Sequence, residues 1–257
     1  MNKKEHGKGS SSDSIYSLKN VSLFEAIYGE NLISIGKFAA VEYMFSDLNI
    51  KGLNALDIGF GLGGIAFYLA KNHQMKISGI EIHPWMVKYA YEHAPKDIIT
   101  QLSFAVYNDK GQIPYNAESF DIVYSKGVLN HVRDKGTLFQ QVNTALKSSG
   151  LFVITDWIFP QATPNNSGPL VRETQASYQQ VLQNAGFSEI SFRDDSKMFL
   201  GYVQTLLENL KKCKSSIEQE YGEEIFAQIW NQQQELIEDI QNDRKFSMRI
   251  LAKKPAT

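Results

Sequence analysis

The chain has 257 residues, 43% of them hydrophobic, enough for one sizeable core with or without a small appendage. Its 26 Lys and Arg against 28 Asp and Glu leave a net charge of −2, so no general basic field exists to recruit nucleic acid or an anionic membrane, a local groove apart. No apolar run is long enough to span a bilayer, and the single cysteine, Cys213, excludes an internal disulfide framework and suits a reducing cytoplasm.

Residues 1–14 are polar and rich in Gly and Ser, with no apolar segment after their lysines; they are expected to be a disordered tail and not a signal peptide. Residues 15–257 are expected to form a single domain. From Ile15 to Met44 the pattern is helical: Phe24, Ile27 and Tyr28, then Ile33, Phe38, Val41 and Met44. Two helices over residues 15–48 would either cover one sheet edge or act as a lid over a site. Leu53–Gly64, LNALDIGFGLGG, reads as a strand buried on both faces, then a loop with Gly59, Gly61 and Gly63, then a helix over Leu62–Asn72. Lys76–Ile82, KISGIEI, is the second strand, and His83-Pro84-Trp85 opens the next helix with Pro84 in its first turn.

Gln101–Tyr107 is the third strand, with Asn108 and Asp109 at its tip, where they either reach an adenine amino group or make a plain turn. Ser119–Ser125 is the fourth, followed by Lys126-Gly127-Val128-Leu129-Asn130-His131 and a helix from Asp134 to Leu146. Gly150–Trp157 is the fifth strand and Phe159–Pro169 a loop. A helix from Thr174 to Asn184 stops before Gly186, and Ser188–Phe192 is the sixth strand. Lys197 to Asp243 reads as helical, with apolar stripes Phe199, Tyr202, Val203, Leu206 and Ile225, Phe226, Ile229; Cys213 within it is expected to be exposed. Phe246–Lys253 is the last strand. Strands alternating with helices predict an α/β fold with a mostly parallel sheet.

In such sheets a ligand binds outside the carboxyl ends of the strands. Those tips gather Asp57, Gly59, Glu81, Asn108, Asp109, Lys126, His131 and Trp157. A glycine loop opening a helix lets backbone N–H groups approach an anionic ligand, and an acid at the second strand's tip suits ribose hydroxyls. Strand, glycine loop, helix, strand, acid is the order of a nucleotide-type cofactor site. Only His131 is a base suited to neutral pH there, since His73, His83 and His93 fall on helical stretches beyond the strands. No His, Cys or Asp set shows metal-ligand spacing.

The segment DIGFGLGG over Asp57–Gly64, with Glu81 behind it, resembles the cofactor motif of class I S-adenosylmethionine-dependent methyltransferases. The resemblance implies a Rossmann-like, seven-stranded sheet with an antiparallel last strand beside the fifth, an N-terminal helical lid, and a helical insertion over 197–243. It implies S-adenosyl-L-methionine as cofactor and S-adenosyl-L-homocysteine as product, with Gly59 and Gly61 passing the methionine part and Glu81 the ribose. Tyr16, the run FEAIYGENLIS over Phe24–Ser34, Ser125 and His131 are more narrowly similar to phosphoethanolamine N-methyltransferases. That likeness implies Tyr16 and His131 as a dyad that closes the site and assists proton removal. It also implies Ile33 and Ser34 against the cofactor, Ser34 on its carboxylate, and Ile82 near the adenosine.

The chain departs from that family on the acceptor side. Lys126-Gly127 stands where the family has Arg-Asp, Trp157 and Phe24 where it has tyrosines, and only Arg172 and Tyr178 lie near its phosphate clamp. The expected reaction is methylation of a small molecule, an amine related to phosphoethanolamine-type substrates but not phosphoethanolamine itself. Tyr28, Trp157 and Arg172 are the substrate-side candidates; Tyr16, Phe24, Tyr28 and Trp157 either face a cation or pack as core. A nucleic-acid methyltransferase would want an Asn/Asp-Pro-Pro-aromatic tetrad where Ser125-Lys126-Gly127-Val128 stands. A cofactor-binding protein without catalysis is the other alternative. A monomer or weak dimer in the cytoplasm is expected.

Overall fold

The computed structural model of the protein describes residues 16–108, 111–162 and 170–256. The expected tail over 1–14, Asp109, and most of the expected loop up to Pro169 therefore lie outside the described residues.

Seven strands form one sheet in the order β3-β2-β1-β4-β5-β7-β6. They are β1 (Asn54–Ile58), β2 (Lys76–Glu81), β3 (Leu102–Val106), β4 (Phe120–Lys126), β5 (Leu146–Ile158), β6 (Ser188–Asp194) and β7 (Phe246–Lys253). The first five are mutually parallel where they pair, and β7 lies antiparallel between β5 and β6. The expected topology holds, last strand included. The fifth strand starts four residues earlier than the apolar run suggests, because Leu146 already pairs with Phe120 before a bulge.

Side chains alternate across the sheet, and both faces are covered. Ala55, Ile122 and Val153 point toward α2 (Lys37–Met44), α3 (Gly64–His73) and α4 (Pro84–His93). Leu56, Val123 and Phe152 point toward α5 (Lys135–Ala145) and α6 (Gln175–Asn184). Three layers thus bury each strand twice, which is why β1 and β4 read as near-continuous apolar runs. Capping fixes two helix starts: the Asp134 carboxylate accepts the Thr137 N–H, and Thr174 and Ser177 form a reciprocal capping box.

The stretch expected to be helical over 197–243 is a hairpin of two helices, α7 (Ser196–Tyr221) and α8 (Glu223–Gln241). Gly222 separates them at φ +93°, a conformation that lets the chain reverse without a Cβ clash. The hairpin's apolar seam packs on Ile27 of α1 (Val21–Tyr28). Cys213 lies half-buried in that seam, against the expectation of an exposed thiol, because it follows the Leu206–Leu210 stripe by one turn. Among the described residues no helix is long and apolar enough to cross a membrane.

Candidate active site

The carboxyl tips of β1, β2 and β4, the segment between α1 and α2, and the turn after β4 meet at one edge of the sheet. Gly59, Gly61 and Gly63 all have positive φ, so the loop can turn back on the strand and offer its N–H groups. A Cβ on Gly61 would lie 2.6 Å from the Ile33 side chain, which shows how closely the 29–36 segment packs on the loop. The Asn31 carbonyl also accepts the Gly64 N–H, 3.0 Å away, at the start of α3.

Glu81, 7% exposed, ends β2 with its carboxylate accepting N–H groups from Gly61 (3.2 Å), Ile82 (2.8 Å) and His83 (3.3 Å). Burial pushes its pKa up, and those N–H groups hold it back. Beside it the Ile82 side chain is 57% exposed and Val106, which pairs with Glu81 across the sheet, is 47% exposed, an uncovered apolar step at the strand tips. The Asn108 carbonyl accepts the Gly111 N–H at 2.7 Å.

Asp57 is buried at the end of β1 and accepts the Tyr124 hydroxyl at 2.9 Å. Burial raises its pKa to about 7, against the pull of Tyr124 and Lys126. Burial lowers Lys126 to about 8, with Asp57 opposing. The Lys126 Nζ donates to the Ser34 hydroxyl (2.9 Å) and the Ile35 carbonyl (2.8 Å), tying the tip of β4 to the 29–36 segment.

Tyr16 and His131 come together, edge to face, with ring centroids 6.5 Å apart. Tyr16 also meets Phe24 at 6.0 Å and His83 at 5.9 Å. His83 was expected on a helical stretch away from the strand tips; instead it precedes Pro84 as the residue capping α4, so its ring stays at the β2 tip. Burial and then the nearby Glu81 raise the Tyr16 pKa, while burial and then the Tyr16 ring raise Tyr28 to about 12. His131 is shifted down, by burial first and by Lys135 second, which leaves its imidazole neutral at pH 7.

Trp157 does not join the aromatic group at Tyr16. It packs on Phe199 at 4.8 Å and carries the Lys245 ammonium over its ring at 4.3 Å. Lys245 also lies 5.7 Å from the Phe159 ring, which Arg172 approaches at 5.3 Å. The Arg172 charge contributes to a lowered Lys245 pKa after burial and two opposing carboxylates. Lys245 escapes sequence reading because it lies far along the chain, just before the last strand. Tyr178, a buried residue of α6, donates to Asp156, away from Arg172's ring contact.

Two carboxylates, positive-φ glycines and an exposed apolar step fit a nucleoside with an anionic or zwitterionic tail: acceptors for hydroxyls, bare backbone for the tail, a flat face for a base. Among the described residues no three His, Cys, Asp or Glu side chains cluster as a metal site. A groove of about 460 Å3 at the opposite edge, at the amino ends of β1 to β4, gathers no carboxylate or imidazole among its lining residues.

A family model described as a methyltransferase domain matches residues 49–252. A phosphoethanolamine N-methyltransferase of Triticum aestivum is 28% identical over 228 residues, 84% of this chain and 45% of that protein. One of Plasmodium falciparum is 32% identical over 145 residues, 55% of this chain and 53% of that protein. The chain thus spans about half the length of the curated relatives it matches. Among solved structures, phosphoethanolamine N-methyltransferase 2 of Haemonchus contortus, in complex with phosphomonomethylethanolamine and S-adenosylhomocysteine, superimposes with a TM-score of 0.82 at 21% identity. That match covers 95% of this chain and 59% of that one. A cyclopropane synthase of Mycobacterium tuberculosis gives 0.70 at 13% identity, over 90% and 88% of the two chains. At such identities the likeness is one of fold.

Proposed function

The chain belongs to the methyltransferase-domain family, and from this we propose that it moves a methyl group from S-adenosylmethionine to the nitrogen of a small amine that also carries an anionic group, of the phosphoethanolamine type. The observation that carries the reading is the pairing of Tyr16 and His131 beside a glycine loop whose N–H group is held by Glu81. Bound there, the cofactor supplies an electrophilic methyl group on a sulfonium. Glu81 and the Gly59–Gly63 backbone take the ribose and the amino-acid tail, Ile82 the base, and Ser34 with Lys126 keeps the 29–36 segment closed over them as a lid.

An amine must be neutral to attack, so a proton has to leave its nitrogen. His131 suits that role because its lowered pKa keeps the imidazole unprotonated at neutral pH. Tyr16, wedged against His131, His83 and Phe24, excludes water from that nitrogen and orients the imidazole. Lys245 and Arg172, both against Phe159, give the acceptor's anionic end two cations. The expectation that phosphoethanolamine itself is excluded counted only Arg172 and Tyr178 near the phosphate; with Lys245 beside Phe159 it returns to the acceptors worth testing.

A net charge of −2 and the single cysteine favour a small acceptor in a reducing cytoplasm over nucleic acid. Purified protein incubated with methyl-labelled cofactor and a panel of phosphoethanolamine, other small amines and phenols tests the reading. Label on an amine bearing an anionic group supports it. Label on phenols alone, or on none of the panel, sinks it.

A further inference from the structure

The turn that carries His131 also holds the segment that carries Arg172. Asn130, 2% exposed, lies in the tight turn Leu129–His131 between β4 and α5. Its side-chain amide donates to the carbonyls of Trp157 and Val171, each at 3.2 Å, and its side-chain oxygen accepts the Trp157 N–H at 3.3 Å. Its main-chain carbonyl accepts the Val171 N–H at 2.7 Å. Only one orientation of the amide satisfies an N–H on one side and two carbonyls on the other.

One turn further on, the Lys135 ammonium donates to the Val132 carbonyl (2.8 Å) and pairs with Glu173 (3.3 Å), its side chain 2% exposed. Glu173 in turn accepts the Phe159 N–H through its carbonyl at 2.8 Å. Both neighbours of Arg172 are therefore fastened to the His131 turn, Val171 by Asn130 and Glu173 by Lys135. Arg172 stands between two fixed points, its guanidinium over Phe159. A buried amide with all its hydrogen bonds made resists displacement, because any shift strands polar groups away from water.

We propose that Asn130 is a positioning residue that sets the separation of the His131 imidazole from the Arg172 guanidinium, and through it the length of acceptor that fits between amine and anion. The inference rests on the reading in which His131 faces the amine and Arg172 the anionic end. It makes acceptor length a property of one buried side chain that touches neither substrate nor cofactor. The nearest alternative, that Asn130 merely stabilises the fold, predicts equal losses for every ligand and no dependence on Arg172.

The test is a double-mutant cycle of wild type, N130A, R172A and N130A/R172A, with N130S as a milder variant should N130A fold poorly. Calorimetry measures binding of S-adenosylhomocysteine to the free protein, and then of phosphoethanolamine and its three-carbon homologue aminopropyl phosphate to the protein saturated with S-adenosylhomocysteine. N130A should weaken phosphoethanolamine about tenfold and remove the preference between the two amines, leaving cofactor affinity within about twofold. Adding R172A to N130A should cost less than about twofold more, since the residues act as one unit. Multiplicative losses, preserved length preference, or a parallel fall in cofactor affinity would overturn the proposal. Wild-type protein that binds neither amine removes the acceptor reading and the inference with it. Wild-type binding that R172A abolishes and N130A and N130S spare removes the inference alone.

Discussion

Tyr16 meets the imidazole of His131 edge-on, at a ring-centroid distance of 6.5 Å, although 115 positions of chain separate them. The contact joins the beginning of the described chain to the turn after β4, and in the proposed reaction it closes the site around the nitrogen that loses a proton. His131 then has to be unprotonated to work. Its pKa lies below the ordinary histidine value, so kcat should rise through a limb that sits under about pH 6.5 and be flat above it. His131→Ala should lower kcat by about a hundredfold or more and erase that limb, with cofactor affinity kept. Lys135→Met should move the limb toward neutral pH, because the ammonium is one of the two causes that depress the imidazole. A pH series of kcat on the three proteins checks all of this; an acid limb that survives in His131→Ala assigns the base elsewhere.

Gly61→Val should abolish cofactor binding. The new Cβ would arrive 2.6 Å from Ile33, at φ +60°, a conformation that β-branched residues rarely adopt. The loop and the 29–36 segment cannot both stay in place, and the Gly61 N–H would leave Glu81. Calorimetry with S-adenosylhomocysteine should show affinity down by more than about tenfold, the loss of one charge-assisted hydrogen bond with added strain. Unchanged affinity would remove the glycine loop from the site.

What the sequence made legible follows from period and position. β1, β2 and β4 are read correctly because each is buried on both faces, which gathers apolar residues into short runs, and Glu81 is found because it ends such a run. Tyr16 and His131 are found through family likeness, and no local pattern would have paired them. Lys245 is missed because its meaning depends on β7 inserting between β5 and β6, which brings residue 245 beside Trp157. His83 is misread for a related reason: Pro84 marks a helix start, but the residue before it belongs to the strand tip. Asn130 has no signal at all, since a polar residue after a strand looks like any turn, and only its burial shows otherwise.

Lys126→Met should let the cofactor go faster. Lys126 is the tie between β4 and the 29–36 segment, through Ser34 and the Ile35 carbonyl. Loss of two charge-assisted hydrogen bonds at that tie should raise the dissociation rate of S-adenosylhomocysteine about tenfold or more. The fold itself should suffer little, because an apolar side chain replaces a lysine whose burial already disfavours its charge. Stopped-flow fluorescence, with Trp85 beside Tyr16 and Ile33 as reporter, measures the rate directly. An unchanged rate would leave the segment's closure to other contacts.

Asp156 should make the protein less stable as pH rises toward neutrality, and Asp156→Asn should remove that dependence. The carboxyl is 3% exposed near the end of β5, one oxygen accepting the Tyr178 hydroxyl at 2.9 Å. Burial raises its pKa to about 7 from an unfolded value near 3.8, with the Trp157 N–H, Tyr178 and Lys135 opposing. The folded state therefore holds its proton more tightly than the unfolded state does. That contribution is fully present below the unfolded value and is lost as pH rises through the folded one, about 1.4 kcal/mol for each pH unit crossed between them. An amide keeps an acceptor for Tyr178 and has no charge to desolvate. Thermal melts of wild type and Asp156→Asn at pH 5 and pH 8 should show the variant gaining on the wild type at the higher pH. A constant difference across that range would mean that Asp156 is ionised in the fold throughout, with Lys135 and Lys245 as its counter-ions rather than Tyr178 as its partner.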